Sequence, residues 1–134
     1  DVHERLTLYK RLANCDSEEE LLLLQEELID RFGELPDQAR TLLETHRLRI
    51  RARPLGLAKI DATEAVIKLQ FVPNPPIDPA RIIQLVQQDR RWKLAGPDRL
   101  VVSRETATLP ERAAAIREII SMLNQPVSPS KKQS

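Results

Sequence analysis

Residues 53–71 read RPLGLAKIDATEAVIKLQF, and the fold class turns on a change of apolar period inside them. Upstream, apolar side chains recur every three to four residues. From Ala65 to Phe71 they alternate instead, with Ile67, Leu69 and Phe71 separated by Lys68 and Gln70. A period of two places one apolar row on one face of a half-buried strand. Leu57 to Asp61 gives a shorter strand beside it, joined through Ala62 to Glu64, and the two are predicted to form a hairpin. Pro54 and Gly56 mark the boundary, because proline withholds a backbone donor and glycine ends a helix at little steric cost.

Upstream of that boundary the spacing predicts three helices. Val2, Leu6, Tyr9 and Ala13 give the first an apolar face, and it stops near Asn14. Asp16 or Ser17 caps the second. Ser17 and Glu20 stand at the spacing of a capping box, and Glu18 to Glu20 occupy a first turn that favours negative charge. The predicted core stripe of this helix is Leu21, Leu24, Leu28 and Phe32, flanked by Ile29. Gly33 ends it, and Pro36 starts a third helix reaching about Arg53, with Ala39, Leu42, Leu43, His46 and Ile50 on one side.

Downstream, Pro73-Asn74-Pro75-Pro76 is stiff and cannot continue a ladder. Asp78 caps a fourth helix with Pro79 at its first position, carrying Ile82, Ile83, Leu85 and Val86 to about Gln88. Arg91 to Ala95, the turn Gly96-Pro97-Asp98 and Arg99 to Ser103 read as a second hairpin. Thr108 and Glu111 again have capping-box spacing, opening a closing helix with the stripe Ala113, Ile116, Ile119, Ile120 and Leu123. The expected fold is α+β: about five helices and an antiparallel sheet of about four strands in two hairpins. Residues 1–124 are expected to be one domain and 125–134 a disordered tail, poor in apolar residues.

Composition narrows the chemistry. With 134 residues, 41% hydrophobic and 31% charged in nearly balanced signs, the chain can bury a core. Tyr9, Phe32, Phe71 and Trp92 are the only aromatics, too few for a platform that stacks single-stranded bases. No glycine-rich phosphate loop is present, and one Cys with two distant His cannot form a zinc site, so no cofactor, metal or catalytic residue is expected. His46 reads as a partly buried packing residue, and Trp92 as core or its cover. A lone Cys15 and the lack of a membrane-length apolar run point to a reducing cytoplasm, with no membrane partner. The start at Asp1, without an initiator methionine, reads as a piece cut from a longer polypeptide.

Two charged groups remain. Arg47, Arg49, Arg51 and Arg53 split between faces of the third helix, Arg47 and Arg51 sharing one. Dipole compensation at a helix C-terminus explains them, and a phosphate-contacting nucleic-acid patch at Arg47 and Arg51 is the alternative. The stretch EELIDRFGELPDQ, Glu26 to Gln38, is less easily explained: Glu26, Glu27 and Asp30 crowd a helix end whose free carbonyls already carry partial negative charge. Measured from Leu28, the residues Leu23, Glu27 and Asp30 lie roughly 100° to 160° away on the outer side. An apolar residue flanked by two carboxylates suits a basic protein partner, although Arg31 stands four residues from Glu27 and is placed to blunt it.

YKRLA (Tyr9 to Ala13), EELIDRFGELPDQARTLL (Glu26 to Leu43), LGLAKI (Leu55 to Ile60) and GPDRLVV (Gly96 to Val102) together resemble the C-terminal domain of the bacterial transcription-repair coupling factor. The resemblance reaches about Asn124. It implies a parent that is an ATP-driven translocase on double-stranded DNA, acting on stalled RNA polymerase and recruiting nucleotide excision repair through UvrA. For this segment it implies a domain without catalysis. Such a domain packs in cis on an arginine-rich surface of an N-terminal UvrB-like module and hides the UvrA-binding surface. Glu27 and Asp30 match the carboxylates of that contact.

Overall fold

The computed structural model describes residues 2–127, without the side chains of Val2 and Arg5. The fold class is as expected, with five α-helices and one four-stranded antiparallel sheet among the described residues. They divide into two compact units, within Asp1–Arg51 and Ala52–Ser134. The tail expected to be disordered lies outside the described residues from 128 onward.

The first unit is built by α1 (Val2–Ala13), α2 (Glu18–Phe32) and α3 (Asp37–Ala52). Leu12, Cys15, Leu21, Leu24, Leu28, Leu35, Leu43 and Ile50 form its core, with Leu8, Ala39 and Leu42 packed against it. Two expectations fail here. The face predicted for α1 is outward, Leu6 and Tyr9 being exposed, because a rival stripe at the same helical spacing, Leu8, Leu12 and Cys15, is the one that packs. On α2, Leu21, Leu24 and Leu28 are buried as predicted, but Phe32 is 57% exposed and Ile29 is exposed as well. The chain turns at Gly33 and sends Leu35, instead of Phe32, into the core.

The second unit holds β1 (Leu57–Ala62), β2 (Val66–Phe71), α4 (Pro79–Gln88), β3 (Trp92–Leu94), β4 (Arg99–Ser103) and α5 (Leu109–Leu123). Both predicted hairpins form, and β2 pairs with β4, giving the order β1-β2-β4-β3. Register places Ile60, Leu69 and Leu100 in one cross-strand row, and Ala62, Ile67, Val102 and Trp92 in the next. These residues, Ala62 apart, are buried, Trp92 among them. The intervening positions Lys59, Lys68, Arg99 and Lys93 face solvent, as a half-covered antiparallel sheet requires.

The capping box of α5 is present: Thr108 Oγ1 accepts from the Glu111 N–H, and Glu111 accepts from the Thr108 N–H. All five predicted stripe residues of α5 are buried. On α4 the expectation holds only in part. Leu85 is buried, but Ile83 is exposed and Arg81 takes an inward position. Its guanidinium donates to the carbonyl of Met122 at 2.9 Å, to Gln84 Oε1 at 2.8 Å and to Gln125 Oε1 at 3.2 Å.

The proline-rich loop packs over Gly56, whose φ is +85° and where an added Cβ would lie 2.6 Å from Pro75 Cβ and 2.8 Å from Pro76 Cδ. Gly56→Ala therefore meets both left-handed strain and a clash with rigid rings. It should cost about 2 kcal/mol, read as a lower urea midpoint.

Candidate partner interface on the second helix

Helix α2 starts where its capping chemistry places it. Ser17 Oγ accepts from the Glu20 N–H at 3.1 Å, and Glu20 Oε2 reaches back to the Asp16 N–H at 3.0 Å. It ends at Gly33, with φ +81°, whose N–H donates to the Ile29 carbonyl at 2.8 Å. With Leu21, Leu24 and Leu28 fixed inward, the 100° step per residue decides what points out.

Leu23 is 66% exposed, the most exposed of the large apolar side chains among the described residues, and Asp30 is exposed on the same outer side. Glu19, Leu22, Glu26 and Ile29 are exposed on the same outer side. Glu26, which the sequence left without a role, lies roughly 160° from Leu28, within about 60° of both Leu23 and Asp30 around the helix, and so joins them on the outer ridge. Among the described residues neither Glu26 nor Asp30 forms a side-chain hydrogen bond or an ion pair. The ridge thus presents an apolar anchor with unneutralised carboxylates around it.

Glu27 is placed differently. Its two carboxylate oxygens receive both terminal nitrogens of Arg11, at 2.5 and 2.8 Å, in a fork-to-fork pair that ties α2 to α1. The sequence pointed to Arg31 as its neutraliser. Arg31 instead lies over the Phe32 ring, 5.4 Å from its centre, and affects Glu27 only through its charge. The Arg11 hydrogen bonds hold the Glu27 carboxyl below its ordinary value, and the pair is half exposed. A carboxyl depressed in the folded state contributes stability above its unfolded pKa and loses it as pH falls through the folded one. In Arg11→Ala the Glu27 titration, followed by carboxyl NMR, should therefore move up toward the ordinary glutamate range.

The third-helix arginines are engaged within the same unit. Arg51 donates to Glu18 from Nε at 3.0 Å and from a terminal nitrogen at 2.9 Å, holding the Glu18 carboxyl below its usual range. Arg47 donates to Glu44 at 2.9 Å and to Gln25 at 3.0 Å. Both fasten α3 to α2. His46 is half-buried, its Nε2–H donating to the Cys15 carbonyl at 3.0 Å, and burial pushes the Cys15 thiol up. Exposed Tyr9 and Phe32 border an open groove of about 590 Å³ floored by Leu8, Leu28, Leu35 and Leu42.

Among the described residues no group of three His, Cys, Asp or Glu is arranged to hold a metal, and no helix is long and apolar enough to cross a membrane.

Residues 1–82 match the family model of the TRCF domain. The transcription-repair-coupling factor of Escherichia coli (strain K12) is 39% identical over 126 residues, which is 93% of this chain and 11% of that protein. That of Haemophilus influenzae (strain ATCC 51907 / DSM 11121 / KW20 / Rd) is 42% identical over 89 residues, 66% of this chain and 8% of that protein. The chain therefore spans about a tenth of the length of these curated relatives. In fold it is similar to a crystal structure of the C-terminal domain of transcription-repair coupling factor, with TM-score 0.63 and 21% identity over 92% of this chain and 82% of that one.

Proposed function

The chain belongs to the TRCF domain family, and on that premise we propose that it is a non-catalytic, autoinhibitory interaction domain of a transcription-repair coupling factor. Residues 1–124 act as one functional domain. They pack in cis on the N-terminal UvrB-like module and mask the UvrA-binding surface until the factor is activated at stalled RNA polymerase. The parent is a cytoplasmic, ATP-dependent translocase on double-stranded DNA.

The observation that carries this reading is the outer ridge of α2, where Leu23 stands exposed beside Asp30 and Glu26. A basic, arginine-rich partner surface would supply the missing counter-charges, and burying Leu23 would supply the apolar anchor. Glu27 joins the contact by sharing its carboxylate between Arg11 and the partner. Charge pairs of this kind are worth about 1–3 kcal/mol each when desolvated and far less when exposed. A latch of that strength suits a switch, because an activating event can shift a balance of a few kcal/mol.

The test is a titration of the 134-residue chain against the isolated UvrB-like module, with Glu27→Lys plus Asp30→Lys as the paired variant. Weaker binding of the variant is expected, and equal affinity would remove these residues from the contact. No observation favours the nucleic-acid reading of Arg47 and Arg51, whose guanidinium groups already bind Glu18, Glu44 and Gln25.

A further inference from the structure

We propose that the solvent face of the sheet docks the phosphate backbone of double-stranded DNA. The face is set by register alone. Lys59 pairs with Gln70, which pairs with Arg99; Asp61 pairs with Lys68, which pairs with Val101, which pairs with Lys93. Every one of these side chains is on the side opposite the buried Ile67, Leu69, Leu100 and Val102. Four cations stand there with a single carboxylate, Asp61, which lies 3.6 Å from Lys59 and offsets it.

Lys68, Lys93 and Arg99 are exposed and form no ion pair among the described residues. Arg91, adjoining the same face, is held by Asp89 at 2.8 Å, which marks by contrast the three that are available. Neighbouring strands are about 4.8 Å apart, so Lys68 and Lys93, two strands apart, are separated by about 10 Å at the backbone. Arg99 sits about 7 Å further along its strand from the Lys68 row. The result is a flat basic patch of a size that can meet several phosphates of a duplex, which carries one charge per roughly 1.7 Å of axis.

Two features of the face choose the occupant. Its strand positions offer no exposed large apolar side chain, only half-buried Val66 and Val101, whereas protein interfaces depend on a desolvated apolar or aromatic centre. It also carries no aromatic side chain, so unpaired bases have nothing to stack on. Charge without an anchor or a stacking platform is the chemistry of backbone contact to a duplex. This face belongs to the second unit and α2 to the first, and the proposal stands or falls without the autoinhibitory reading.

The test is fluorescence anisotropy of the 134-residue chain with a labelled duplex of about 30 base pairs over a range of salt. With three free cations the slope of log affinity against log salt should be about −3. Lys68→Gln with Lys93→Gln and Arg99→Gln should weaken binding at low salt by at least about 10-fold while leaving the circular dichroism unchanged, since all three are solvent-facing. Arg47→Ala with Arg51→Ala should leave duplex affinity unaltered. No binding at low salt, undiminished affinity in the sheet variant, or polyglutamate binding as tight as the duplex would each overturn the proposal.

Discussion

Arg81→Ala should destabilise the second unit by about 3 kcal/mol, lowering its melting midpoint by about 10–20 °C for a unit of this size. The side chain is 5% exposed, yet none of the acceptors found for it is a carboxylate. Its place follows from α5, which carries no basic residue in its last turn. The free carbonyls there are partially negative, and Arg81 reaches across from α4 to bond that of Met122. Removing the guanidinium takes hydrogen bonds at once from half-buried Gln84 on α4, from the half-buried Met122 carbonyl on α5 and from exposed Gln125, and it empties the space of an almost fully buried side chain. Arg81→Lys should not restore the loss, because a point charge with three rotatable donors cannot reproduce the planar fork. A urea midpoint that stays where it was in Arg81→Ala would mean that water replaces the three bonds without cost.

The second large effect is a contrast within one helix. Leu21 is 0% exposed and Leu23 is exposed two residues later. Leu21→Ala should cost about 3 kcal/mol, combining lost transfer energy with a cavity among Leu24, Leu28 and their neighbours. Leu23→Ala should change stability by less than about 0.5 kcal/mol. Denaturant unfolding of the two variants measures both. The comparison also serves function, since any binding lost in a Leu23 variant that unfolds like the native chain reports on the surface and not on the fold.

Much of this architecture was legible in the sequence because local chemistry decided it. The Ser17-Glu20 and Thr108-Glu111 pairs, Asp78-Pro79, and the alternation over Ile67, Leu69 and Phe71 each settle their own structure within a few residues. Where two local solutions compete, the sequence could not choose. The first helix offers two stripes of the same period, and only packing selects Leu8, Leu12 and Cys15 over Leu6 and Tyr9. The strand order likewise depends on a pairing between β2 and β4, residues distant along the chain.

Long-range polar pairs were illegible for the same reason. Arg11 lies 16 residues from Glu27, and Arg81 lies 41 from Met122. Neither pairing has a spacing rule, so the sequence offered Glu27 only the local Arg31 and gave no sign that Arg81 turns inward. Glu26 could have been placed from the sequence: the same wheel that set Leu23 and Asp30 outward puts it outward beside them.

The claim that this domain conceals a docking surface is tested most directly in the full-length coupling factor. UvrA affinity would be measured with the native domain and with Leu23→Asp plus Asp30→Lys on the ridge of α2. The account predicts that the variant binds UvrA more tightly, by about 10-fold for a latch weakened by about 1.4 kcal/mol. Unchanged UvrA affinity, in a variant whose domain remains folded and whose ATPase is intact, would contradict it.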